Sequence, residues 1–217
     1  MMSNTELQRT VEDELKWNPS LDASHIGVTV KDGIVTLTGY VVSYFQKKKA
    51  ESLVKHLAHV KAVVDELELK LPNSAKRGDL DLAESALEVL KLNVLVPAGK
   101  ILVTVDNGWI SLDGVVDWQY QRTAAEDAIK YLTGVRGISN NVTVKSTVHP
   151  ADVKLKIQNA LIRNAQIDAS HITVDTANGK ATLAGHVRSW IEREQAEAAA
   201  WSAPGISKVE NRISIAP

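Results

Sequence analysis

Cysteine is absent from the 217 residues, which removes disulfide frameworks, thiolate metal sites and cysteine nucleophiles together. Neither sign of charge is in excess: 25 Lys and Arg stand against 26 Asp and Glu, a net charge of −1. This argues against nucleic-acid binding through bulk charge and leaves room only for a local basic patch; no nucleic-acid partner is expected. No apolar run approaches the ~20 residues that a bilayer-spanning helix needs. The opening MMSNTELQRTVEDELKW carries acids early and has no apolar signal core. A cytoplasmic location is expected from it, with the periplasm as the alternative if the N-terminus has been processed. Aromatics are sparse, with one Phe, four Tyr and five Trp, so the place of each ring is informative.

What is present is repetition. DASHIGVTVKDG at 22–33 returns as DASHITVDTANG at 168–179, 146 residues later. A further copy lies 75 residues after the first. Leu15, Gly33, Gly39, Val60 and Leu67 thus correspond to Leu90, Gly108, Gly114, Val135 and Val142, and then to Leu161, Gly179, Gly185, Ile206 and Ile213. No insertion is needed, and a repeat at fixed spacing governs the fold before any single motif does. Domains are assigned to 1–72, 79–146 and 150–217. The linkers LPNSAKRGD and STVHPAD are short, polar and contain Pro; they predict three beads with restricted freedom, or beads docked on each other.

Each unit reads as helix, strand, strand, helix, strand. Leu7, Val11 and Leu15 step along one face of the first helix, which starts from a Ser3/Glu6 capping box. Asn18, Asn93 and Asn164 are expected to close this helix in the left-handed conformation. Ile26, Val28 and Val30 alternate in the first strand. Asp32-Gly33, Asn107-Gly108 and Asn178-Gly179 predict type I′ turns, hence a tight hairpin in every copy. Val35 and Leu37 point inward from the second strand, which Gly39, Gly114 and Gly185 are expected to end. The second helix buries Ala50, Val54 and Leu57, against Ala125, Ile129 and Leu132, and then only small residues, Ala196, Ala200 and Ala203. The fold class is α+β: three tandem α-β-β-α-β units, each a three-stranded mixed sheet with two helices on one face. A right-handed crossover joins the last two strands. The opposite face is left open and polar at Thr29, Lys31, Thr36 and Thr38.

The strings VTVKDGIVTLTG, VTVDNGWISLDG and TVDTANGKATLAG resemble the BON domain, as do the helix exits VKAVVDELEL, VRGISNNVTV and ISKVENRISI. That family is known from bacterial osmotically inducible, transport-associated and outer-membrane-associated proteins. The resemblance implies a non-catalytic module that binds phospholipid or supports the envelope under osmotic stress. It covers nearly the whole chain and also extends to three-BON proteins of cytoplasmic character.

Ser24-His25 and Ser170-His171 face Gly99-Lys100 in the second copy, which favours a role in shaping the strand entry over catalysis. No catalytic residue, cofactor or metal site is assigned; His56 and His59 share a helix spacing but lack a third ligand. Gly134-Val135-Arg136-Gly137 matches the GxxG loop of KH-type RNA binders, but only in one copy. The start of the second helix is the sharper feature. Lys47 and Glu51 recur as Arg122 and Glu126, and as Arg193 and Glu197. A base near the positive end of a helix dipole is relieved by an anion. Ser43 and Ser189 cap, with Gln46 and Glu192 three residues on, while the second copy has Trp118 there. Tyr44, Trp118 and Trp190 cluster at the same entrances, and Lys48 extends the first. Amphipathic rings beside bases suit an anionic membrane interface. The candidate lipid or anion contacts are therefore Ser43, Tyr44, Lys47, Lys48, Trp118, Arg122, Ser189, Trp190 and Arg193. The opposing reading packs the rings on their own helix or a neighbouring repeat. Trp109 and Leu102, on the open sheet face, are interaction-surface candidates that point to repeat–repeat or homo-oligomer packing. Expected partners are an anionic phospholipid surface or a protein. The alternative function is a soluble osmotic-stress protein of chaperone-like or small-ion-binding type without membrane contact.

Overall fold

Alternating inward residues and tight turns place the elements close to where the periodicity predicts them. A computed structural model describes residues 2–145, 151–164 and 168–215. Linker residues 146–150 lie outside the described residues. The first repeat runs α1 (Asn4–Trp17), β1 (Ile26–Lys31), β2 (Ile34–Val41), α2 (Tyr44–Lys55), β3 (Ala62–Asp65) and β4 (Glu68–Leu69). The second runs α3 (Asp79–Leu92), β5 (Ile101–Asp106), β6 (Trp109–Val116), α4 (Gln119–Ile129), β7 (Gly137–Asn140) and β8 (Thr143–Val144). The third runs α5 (Ala151–Arg163), β9 (Ile172–Ala177), β10 (Lys180–Val187), α6 (Trp190–Trp201) and β11 (Lys208–Ile215).

Each repeat has its own sheet, with the second strand central, antiparallel to the first and parallel to the third. β3 and β4 are two pieces of one third strand, since Leu37 pairs Asp65 and Tyr40 pairs Glu68 in the same register. The ladder is interrupted where Asp65 Oδ1 turns back to accept the Leu67 amide at 3.0 Å. The third repeat keeps β11 continuous. In packing, the chain falls into two compact units, one of Met1–Ala86, Thr104–Ile110 and Ile129–Ser139, the other of Leu87–Val103, Ser111–Ala128 and Asn140–Pro217. The boundary between these units falls within the second repeat.

The cores follow the alternation. Leu7, Val11, Leu15, Val28, Val35, Leu37, Val41, Ala50 and Val54 are buried together in the first repeat. Val153, Ile157, Leu161, Val174, Ala181 and Leu183 do the same in the third. There the helix contributes only Ala196 and Ala200 to the buried set, and half-buried Trp201 packs against that core, supplying volume that alanines lack. Leu57 and Leu132 lie beyond the helix ends and are half-buried.

Turn chemistry is as expected at the hairpins: Asp32-Gly33, Asn107-Gly108 and Asn178-Gly179 all have positive φ at both positions. The side chain that starts the first helix secures the tip. Asn4 Oδ1 accepts from the Asp32 amide at 3.1 Å, and Asp79 accepts from Asn107 and Gly108 at 2.8 and 2.9 Å. The Ser3/Glu6 capping box is present.

Two local expectations are corrected. Asn18 closes α1 in an extended conformation, φ −83 and ψ 112; its side chain instead accepts from the Ser20 amide and hydroxyl at 3.1 and 2.6 Å. Such an Asx turn stops a helix without left-handed backbone. Left-handed residues stand instead at the exits of the second helices: His59, Gly134 and Gly205 with φ of 68, 101 and 80. Gly39, Gly114 and Gly185 do not end the second strand, which continues to Val41, Val116 and Val187. They have φ of 100, 151 and 125, and an added Cβ would run into the carbonyls of His25, Lys100 and His171. The first strand enters too closely there for any side chain.

Candidate binding surfaces at the second-helix entrances

The three entrances close their own backbone donors. Ser43 Oγ accepts from the Gln46 amide at 3.2 Å, and Gln46 Oε1 reaches back to the Val42 amide at 3.3 Å. Ser189 Oγ accepts from the Glu192 amide at 3.3 Å. Glu192, itself buried, accepts from the Arg188 amide at 3.1 Å and from Arg188 Nε at 3.2 Å. In the second repeat Gln121 Oε1 takes the amides of both Asp117 and Trp118, at 3.0 and 3.1 Å. Side-chain caps thus occupy amides that an anion would need.

The recurring bases also have partners. Lys47 Nζ donates to the Leu67 carbonyl at 2.5 Å and lies 3.5 Å from Asp65. Arg122 Nη2 donates to the Asn140 carbonyl at 3.0 Å. Arg193 Nε and Nη2 donate to the carbonyls of Ile213 and Asn211 at 3.1 and 3.2 Å. The recurring acids answer from the same face: Glu126 accepts from Asn140 Nδ2 at 3.1 Å and Glu197 from Asn211 Nδ2 at 2.9 Å. Base, acid and the Asp65/Asn140/Asn211 position therefore form a polar strut between the second helix and the last strand. This gives the repetition a structural reason. In the first repeat Glu51 bridges Lys48 at 3.0 Å and Lys55 at 2.6 Å instead. Burial works against the Lys48 charge, but Glu51 outweighs it and holds the ammonium above its ordinary value.

The rings diverge among the entrances. Tyr44 is buried, and its neighbour Phe45 lies 4.9 Å from Tyr131 within the first compact unit. Trp118 is 42% exposed and Tyr120 54%. Trp190 is half-buried with the Arg193 guanidinium 5.1 Å from its ring centre, and Ile191 beside it is exposed. Exposed bases gather elsewhere. In the first unit, Lys76, Arg77 and Arg136 line a notch of about 290 Å³ beside the start of α3. In the second unit, α4 and α6 flank a wider cleft of about 810 Å³ that takes in Trp118, Tyr120 and Trp201.

A family model of the BON domain matches residues 3–70, 78–146 and 150–217. The chain belongs to the BON domain family. The resemblance carried by the repeated strand strings is thereby borne out. Among curated proteins, the Osmotically-inducible protein Y of Escherichia coli (strain K12) is 28% identical over 151 residues, covering 66% of this chain and 74% of the relative. Among solved structures, the C-terminal domain of CdsD, the structural protein of the Type III secretion system of Chlamydia trachomatis, covers 99% of this chain and all of that chain. It does so at 17% identity and a TM-score of 0.27, too low to bear on function.

The remaining motifs of these BON domains have structural partners. Trp109 lies over Gly137, where an added Cβ would meet its ring, and its Nε1 donates to Ser139 Oγ at 2.8 Å. Half its surface stays exposed, and Leu102 is 66% exposed. The GxxG match therefore resolves into Gly134, left-handed at a turn, and Gly137, which makes room for Trp109. In both DASH stretches the Asp caps a single 3-10 turn. Asp22 accepts from the Ser24 amide and hydroxyl at 3.0 and 2.6 Å, and Asp168 from those of Ser170 at 3.2 and 2.5 Å. Those bonds hold both carboxyls below their ordinary value. His25 stacks on Tyr40 at 4.3 Å, and His171 meets His186 at 4.5 Å. Among the described residues, no three His, Asp or Glu gather as metal ligands, and no helix is long and apolar enough to cross a membrane. The Asp65/Asn140/Asn211 strut and the Asn4/Asp79 clasp were missed from sequence. The signal for the strut, an Asp or Asn at one offset in all copies, was there to be read.

Proposed function

We propose that this BON protein is a non-catalytic binding module of the osmotic-stress response that docks partners through the second-helix entrance of its middle repeat. The observation that carries this reading is the divergence of the entrances: the first buries its Tyr44, while the middle one keeps Trp118 and Tyr120 at the surface. Large rings retained at a surface mark contact sites. The stress link rests on family membership and on the osmotically inducible relative. The test is the response to raised osmolarity of cells lacking the protein and resupplied with Trp118→Ala/Tyr120→Ala. A folded variant that fails to restore growth supports the reading, and full restoration overturns it.

A second reading, contact with anionic phospholipid, is favoured by Lys76, Arg77 and Arg136, bases that converge at one exposed notch. Lys47, Arg122 and Arg193 give it less support, because strand carbonyls hold them. Co-sedimentation with phosphatidylglycerol-rich vesicles at low salt tests it. Loss of sedimentation in Lys76→Gln/Arg77→Gln/Arg136→Gln supports the notch, and no sedimentation of the wild type overturns it.

A further inference from the structure

Two hairpin tips of this chain carry Asn-Gly: Asn107-Gly108 between β5 and β6, and Asn178-Gly179 between β9 and β10. In such a pair the glycine amide nitrogen can reach the asparagine side-chain carbonyl carbon, because no Cβ on the glycine shields it. The two tips have nearly the same backbone, with φ of 50 and 79 in the middle repeat and 49 and 74 in the third. Both are also tied on the carbonyl side, where Gly108 accepts from the Arg136 amide at 2.9 Å and Gly179 from the Ser207 amide at 2.8 Å. They differ on the amide side. Asp79 Oδ1 accepts from the Gly108 amide at 2.9 Å, and its Oδ2 accepts from the Asn107 amide at 2.8 Å. Asp106 Oδ1 accepts from Asn107 Nδ2 at 2.8 Å. In the middle repeat the glycine nitrogen, the asparagine backbone and the side-chain amide are thus all held. The corresponding positions of the third repeat are Pro150 and Ala177, whose side chains carry no acceptor. Asn107 and Asn178 are both exposed, but Gly108 is buried and Gly179 only half-buried.

We propose that Asn178 is a site of spontaneous deamidation, and that Asp79 and Asp106 protect Asn107 from the same reaction. The Gly179 amide nitrogen, its proton lost to hydroxide, bonds to Asn178 Cγ. The Cγ–Nδ2 bond breaks, and the leaving nitrogen takes a proton from water and departs as ammonia. The product is a five-membered succinimide. Water then adds to one of its two carbonyls and breaks that carbon's bond to the ring nitrogen, giving aspartate or isoaspartate at position 178. Ring closure requires the tip to leave its turn conformation, and at Asn107 this breaks two bonds to a carboxylate, the stronger class of hydrogen bond. The same carboxylate opposes loss of the Gly108 proton, since the nitrogen anion would face a like charge. The aspartate product has the Asp-Gly of the first repeat, Asp32-Gly33, and keeps the turn type. The isoaspartate product lengthens the backbone by one methylene and disrupts the two-residue turn that sets the register of β9 on β10. Neither the stress role nor the middle entrance enters this chemistry.

The experiment incubates the full-length protein at mildly alkaline pH and follows each asparagine by peptide mass spectrometry, with chromatography separating aspartate from isoaspartate. Expected is conversion of Asn178 at least ten-fold faster than of Asn107 in the folded protein, and within about three-fold of it in concentrated urea, where both tips are released. Asp79→Ala should speed conversion of Asn107 about ten-fold, with a cooperative melt as the check on folding. The wild-type comparison in and out of urea stands whether or not that variant folds. Equal rates at the two sites in the folded protein, a ten-fold gap that persists in urea, or aspartate without isoaspartate overturns the proposal. A folded Asp79→Ala protein in which Asn107 stays slow overturns the clasp as the cause of protection.

Discussion

Replacing Arg193 by Met separates a strut from an anion site. The guanidinium donates from Nε to Ile213 and from Nη2 to Asn211, both on the last strand of the third repeat. Hydrogen bonds to a charged group are each worth about 1.5–3 kcal/mol net. Two bonds at the low end come to about 3 kcal/mol; the side chain is half-buried, so water takes over part of the loss and about 2 kcal/mol remains for the pair. Met keeps the apolar stem and its packing on Trp190. The assay is native-state hydrogen exchange with peptide resolution. A loss of about 2 kcal/mol speeds exchange in Lys208–Ile215 by roughly 30-fold wherever opening of the repeat limits exchange. Peptides from Ile26–Val41 should be unaffected, since the bonds of this strut join α6 to β11 within the third repeat. Exchange in β11 within three-fold of wild type, together with a loss of binding to anionic vesicles, would refute the strut and restore the anion reading.

Gly114→Ala should lower the stability of the middle repeat by about 3 kcal/mol in urea unfolding, because φ of 151 and the Lys100 carbonyl both oppose a Cβ. Gly99→Ala, at φ of 70 but in open space, should cost only about 1 kcal/mol; equal costs would show that backbone strain alone matters. Leu183→Ala, fully buried beside alanines, should destabilise the third repeat by about 3 kcal/mol, read as a lower urea midpoint for that repeat. Glu210, held between Lys180 and Arg212, titrates at about 2 rather than near its ordinary 4.5. A carboxyl lowered in the folded state stabilises fully above its ordinary value and loses that contribution as pH falls towards the folded one. The melting temperature of Glu210→Gln should therefore fall less steeply than wild type between about pH 4.5 and 2, and superimposed acid limbs would refute the pairing.

The sheets, hairpins and cores were legible because they depend on short-range rules written three times. Val35 and Leu37 alternate, Asp32-Gly33 dictates a turn, and Leu7, Val11 and Leu15 recur along one face. Such features are periodic along the chain and survive any later arrangement of it. The entrances were legible only in part. Ser43 and Ser189 were readable as caps because a cap acts within four residues. The partners of Lys47, Arg122 and Arg193 were not, since they lie some twenty residues ahead on the parallel strand. The spacing of Lys47 and Glu51 suggested an ion pair along one helix, while the strand opposite offered carbonyls that bind a base without a competing charge.

By itself, then, the sequence determined three α-β-β-α-β repeats, their turn types and their inward residues, because each follows from local sterics and from hydrophobic alternation within about ten residues. The tertiary structure decided what the equivalent positions do. Tyr44 is buried where Trp118 stays at the surface, and Gly39 lies within a strand rather than ending it. The physical reason is the same in each case. Identical local conformations meet different neighbours across a sheet or cleft, and only those neighbours set burial, hydrogen-bond partners and charge.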